Sequence, residues 1–139
     1  MKITTLTLGL ASAIVLFMNA CSGNNNNSTG VYSNIQDSAT NLYIWDNQSP
    51  TVNSWQDAFN QCDTLVLNAC SGWRLPTSAE MQTISNNGTY NTTLAHWTGE
   101  YWSNDAASAG AHDCFVVDGN TVLECSDNAP ISYSCVHNP

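Results

Sequence analysis

The chain has 139 residues, room for one domain around one core. Eleven acidic residues stand against two basic ones, a net charge of −9. So little positive charge cannot neutralise phosphates or sulfates, which makes nucleic acid, heparin-like polymers and anionic headgroups poor partners.

In chain order, Met1-Lys2 precedes an apolar run from Leu6 to Phe17, broken by Thr7, Gly9 and Ser12. A charged start and a hydrophobic stretch too short to span a bilayer read as an export signal over residues 1–20. Met18-Asn19-Ala20-Cys21 resembles the bacterial lipobox, although Asn19 is an unusual residue there. Bulky Met18 three places before the cut suits ordinary signal peptidase poorly, so the expectation is a lipid on Cys21. The alternatives are a secreted or periplasmic form, or an uncleaved anchor. Ser22 fits delivery to the outer membrane, with the lipid as the sole membrane contact. Residues 21–30 then form the anchor and an Asn-rich tether with nothing apolar to bury. The folded unit is expected over residues 31–139. Loss of residues 1–20 removes Lys2, takes the net charge to −10 and leaves Arg74 as the only basic residue.

Residues 41–46 alternate Leu42 and Ile44 against Tyr43 and Trp45, a strand pattern, and a turn follows at Asn47–Pro50. From Ser54, apolar residues at Trp55, Ala58, Phe59, Cys62 and Leu65 mark one face of a helix. Asn53 or Ser54 can cap it, and Asp57 suits its positive end. A shorter helix begins after Pro76, where Thr77 and Glu80 have capping-box spacing and Met81 and Ile84 form the buried side. From Asn86 the chain reads as a loop. A strand at residues 101–104 and a small-residue stretch follow. Residues 112–117 and 121–125 then make a hairpin. If Gly119-Asn120 is its two-residue loop, Cys114 lies opposite Cys125. A single strand over residues 131–137 closes the chain. Helices early and strands late predict an α+β domain.

Six cysteines in an exported chain suggest disulfides. With Cys21 lipidated five remain, so one is left over. The chain has no Cys-x-x-Cys, and His96, His112 and His137 are scattered, which argues against structural zinc.

"NLYIWD", "SWQDAFNQC", "GWRLPTSAEM", "EYWSND" and a terminal strand with cysteine, in that order, resemble a bacterial family. It is named for the C-terminal domain of the Legionella collagen-like (Lcl) adhesin. Trp73-Arg74-Leu75-Pro76-Thr77, with Glu80 three residues on, also resembles the wider group with a C-type-lectin-like fold. The resemblance covers about residues 40–136. It implies two helices packed on antiparallel strands, with disulfides Cys62–Cys135 and Cys114–Cys125 and Cys70 as the spare. It further implies that the Trp-Arg-Leu-Pro-Thr segment is a core brace, with Arg74 held by nearby carboxylates or carbonyls, Glu80 or an acid on the late strands; the minority alternative is that Arg74 contacts a ligand.

The calcium-dependent sugar motifs of lectins are not in place, so no metal site is assigned. Loop oxygens at Asn104, Asp105, Asp113, Asp118, Asn120 and Asp127 keep calcium open as a minority expectation. A metal-free route would stack a sugar on aromatic faces beside amides and carboxylates. Trp97, Tyr101, Asn104 and Asp105 are the candidates, with Trp97 expected to be exposed in its loop and Trp102 in the core. No nucleophile–base spacing surrounds the histidines, so no enzyme is expected. The reading is a surface lipoprotein, an adhesin-like recognition module for a glycan or a protein. The rival is a structural or accessory subunit of a cell-surface assembly.

Overall fold

The structure, a computed structural model, describes residues 33–46, 50–67, 70–87 and 97–139. The expected export signal, Cys21, the tether, most of the loop after Asn86 and His96 lie outside them. In order the elements are β1 (Ser33–Gln36), β2 (Tyr43–Asp46), β3 (Thr51–Val52), α1 (Trp55–Asp63) and α2 (Ser78–Ser85). Then follow β4 (Glu100–Ser108), β5 (Ala111–Val116), β6 (Thr121–Ser126), β7 (Ile131–Ser132) and β8 (Val136–His137). Helices precede most of the strands, and the domain is α+β.

Both helices start where their side chains dictate. Ser54 accepts from the Asp57 amide at the head of α1. Thr77 and Glu80 complete a reciprocal capping box on α2. The strands form a three-stranded sheet, β1-β2-β8, and a five-stranded sheet, β3-β7-β4-β5-β6. Alternation along β4 and β5 sends neighbours to opposite faces. Tyr101 pairs with Phe115, and both join Met81 and Ile84 of α2 in one core cluster. Trp102 pairs with Cys114, and both join Ala58 and Cys62 of α1 in the other. The middle of the larger sheet is therefore buried on both sides, one helix to each.

Two expectations need correction. The single strand expected over residues 131–137 is two short strands in different sheets. β7 pairs with β3 and β4, whereas β8 pairs with β2. Between them Tyr133 donates its amide to Pro50, and the Cys135 carbonyl accepts from the Trp45 amide. The hairpin register also differs. Cys114 stands opposite Leu123, and His112 opposite Cys125, so the two cysteines are diagonal neighbours. The loop spans Val117–Asn120, closed by the Asn120 amide on the Val117 carbonyl at 3.3 Å. Val117 is buried and donates its amide to Gly99, which draws it out of the hairpin, and Asn120 takes the left-handed φ of 47°. The disulfides themselves are Cys62–Cys135 and Cys114–Cys125. Cys70 is not a spare thiol: it too is disulfide-bonded.

Arg74 closes the structure twice. Its backbone exchanges two hydrogen bonds with Val136, at 2.9 and 2.8 Å, which adds a bridge beside β8. Its guanidinium forks onto both Glu80 oxygens at 2.8 and 2.7 Å and reaches Asn138 Oδ1 at 3.1 Å. Glu80 also accepts from the Thr77 amide, so one carboxylate serves the ion pair and the helix cap. On either side Trp73, Leu75 and Pro76 are buried. Burial is the largest single influence on the Glu80 carboxyl and pushes its pKa up. The bonds from Arg74 and Thr77 together outweigh it and hold the carboxyl below its ordinary 4.5.

These contacts set three expectations. Glu80→Gln keeps a cap-accepting oxygen but loses the ion pair, and should cost about 1 kcal/mol in urea titration. Glu80→Ala loses both and should cost about 2 kcal/mol. Because the folded-state pKa is depressed, the carboxylate's contribution is complete above about pH 4.5 and is lost as pH falls through the folded value. The stability gap between wild type and Glu80→Gln should therefore close on acidification below that pH. Removing Cys62–Cys135, which spans 73 residues, should cost about 4 kcal/mol by loop entropy, against about 3 for Cys114–Cys125, which spans 11. Paired Cys→Ser variants in the same titration check the order.

Candidate functional site

Polar side chains from three elements, α2, β4 and β5, converge on the start of α2. The Ser78 amide donates to Asp105 Oδ2 at 2.7 Å, which places a carboxylate at the positive end of the helix. Ser78 Oγ lies 3.0 Å from Ser103 Oγ and 3.5 Å from Asp113 Oδ2. The Asp105 amide donates in turn to Ser103 Oγ at 3.1 Å. The pairing of β4 with β5 shifts register after Trp102, and Asp105 lies in that irregular stretch.

Ser103 links this cluster to a second one. Its carbonyl accepts from Trp55 Nε1 at 2.8 Å. The Trp55 ring stacks on His112 with centroids 3.6 Å apart and planes 9° from parallel, and on Phe59 at 5.1 Å. His112 Nδ1 lies 2.7 Å from Asp127 Oδ1, and the Asp127 carbonyl accepts from the Trp55 amide at 2.8 Å. The cluster fastens the start of α1 to β5 and to the turn after β6. Chemically the two clusters offer carboxylate and hydroxyl acceptors already engaged with one another. Sequence reasoning passed over Trp55, Ser78 and His112 as site residues. Position 112 sharing a strand face with Cys114 was the available signal.

The residues expected to stack a sugar do not form a surface. Trp97 is only 1% exposed and stacks on Tyr101, itself fully buried, at 4.9 Å and 25°. The chain reverses at Gly99, whose φ is 77°, and this packs Trp97 back against β4. A tryptophan gains more from that burial than from exposure. Trp97 is therefore core, which corrects its expected exposure. Asn104 stays exposed, and Asp105 is half-buried against Ser78. Trp102 is buried.

The oxygens considered for calcium are spread out and engaged locally. Asp118 accepts from the Gly99 amide at 3.0 Å, and Asn120 bonds to Asn86 and Ser85. Asp127 holds His112, while Asp105 and Asp113 surround Ser78. Among the described residues one trio has metal-ligand spacing: Glu100, Cys114 and Cys125. Two of its three sulfur and oxygen donors are consumed by the disulfide, so it offers no thiolate. His137 lies tilted over Trp73 with ring centroids 5.4 Å apart.

No curated protein matches the chain. The family model for the Lcl C-terminal domain matches residues 33–136, from the first residue of β1 to the first of β8. That span takes in both sheets, both helices and the Trp-Arg-Leu-Pro-Thr brace, and the chain belongs to the Lcl C-terminal domain family.

Proposed function

We propose that this domain is a non-catalytic recognition module of the cell exterior, folded in the manner of a C-type lectin, and that its ligand is a protein. Family membership supports a surface or secreted setting. A disulfide from the first helix to the closing segment, with a second across the last hairpin, supports the lectin-like fold. The observation that carries the choice of ligand is the burial of Trp97 and Tyr101. Without those faces a glycan loses the apolar platform that lends affinity to its hydroxyl contacts. A protein partner needs no such platform. It can use the acidic exterior, where Arg74 is already neutralised by Glu80.

Two measurements check this reading. On a broad glycan array the mature protein should bind nothing, in calcium or in chelator. Binding that survives chelation would restore the stacking route, and binding lost in chelator would reveal a calcium site among the loop carboxylates. A non-reducing peptide map of the native protein should show the Cys70 peptide cross-linked, as an oxidising exterior setting requires, and a free Cys70 thiol would count against that setting.

A further inference from the structure

β6 is the last strand of the five-stranded sheet, and among the described residues it pairs with β5 alone. It is also the longest terminal strand, six residues against two in β3 and four in β1. Its alternate amides and carbonyls face outward, and no described strand receives them. Both of its faces are open: Val122 is 40% and Leu123 43% exposed, and adjacent residues point to opposite sides.

Natural edge strands are usually protected against added strands by lysines, prolines, bulges or brevity. β6 has none of these. Its register with β5 runs without a break from Ala111–Ser126 to Val116–Thr121. Its one charged residue, Glu124, is hydrogen-bonded to Ser108 on β4, two strands inward, so the carboxylate lies across the sheet and away from the open edge. The Cys114–Cys125 disulfide ties β6 diagonally to β5 and holds the edge in place.

Charge identifies the occupant. Asp118 precedes the strand and Asp127 follows it, in a chain with eleven acids and two basic residues, of which Arg74 is bound to Glu80. A second copy would bring the same negative charge against itself. A segment carrying lysine or arginine would meet complementary charge at both ends of the strand.

We propose that β6 docks an extended, basic segment of a partner protein, which adds a sixth strand to the sheet through main-chain hydrogen bonds, with Val122 and Leu123 packing against its alternate side chains. The proposal rests on the reading of the domain as a protein-binding module and specifies where and what it binds.

The test titrates the full mature protein, disulfides intact, with an eight-residue peptide of alternating lysine and valine, and follows amide exchange by NMR. At saturation the exchange of alternate amides within Thr121–Ser126 should slow by at least about tenfold, and the affinity should fall with salt. A peptide with proline at alternate valines has the same charge but cannot pair as a strand, and should give no protection there. Leu123→Lys, at an exposed position, should weaken binding by at least about tenfold without altering the fold. Equal protection by the proline peptide, or binding with no protection at β6, would overturn the proposal. So would concentration-dependent dimerisation that protects β6 without peptide, since the occupant would then be a second copy. None of these outcomes depends on the glycan array, so the edge proposal can fail while the recognition reading stands.

Discussion

The paired hydrogen bonds between the backbones of Arg74 and Val136 join the middle of the chain to its end, and much of the structure depends on that junction. On one side the guanidinium of Arg74 reaches Glu80 and fixes the start of α2. On the other, Val136 pairs with Ile44 in β2, and its neighbour Cys135 is bonded to Cys62 in α1. A single short stretch of backbone thus positions both helices and both sheets relative to each other. The ion pair is half-buried and its net contribution is modest, because desolvation offsets much of the Coulomb attraction. Its geometric role is larger: a planar fork on a carboxylate that is already a helix cap leaves α2 few ways to shift.

How much of this was legible in the sequence depended on how local the determining interactions are. The cap of α1 at Ser54 and the capping box at Thr77 and Glu80 are decided within four residues; the sequence named the capping box outright and narrowed the α1 cap to Asn53 or Ser54. The Arg74–Glu80 contact spans six residues and was reachable through the family resemblance. The hairpin register was not, because Val117 answers to Gly99, just ahead of β4, and that pull moved the loop by one position. Trp97 was misplaced for the same reason. Nothing near it in sequence announces that Tyr101, Leu42 and Ile44 will form its surroundings. The polar links among Ser78, Ser103 and Asp113 join residues 25 and 35 apart and left no periodic trace.

The exterior follows from what the interior consumes. The aromatic side chains that could have met a sugar fill the two core clusters, and Arg74 is committed to one carboxylate. Among the described residues, what remains for contact is mostly carboxylate, amide and hydroxyl, with the exposed backbone of one strand and a few apolar side chains such as Val122 and Leu123. Such a surface discriminates by charge sign and by hydrogen-bond pattern more than by apolar shape.

The division of residues 131–137 between two sheets has a consequence for the order of events in a living cell. A chain is made from its N-terminus, and here β7, Cys135 and β8 come after every other described element. Until they arrive, β3 has no partner strand, α1 has no bridge and β2 lacks one neighbour. Contacts between residues so far apart form late and slowly. Neither sheet is therefore complete until residues 131–137 have been made.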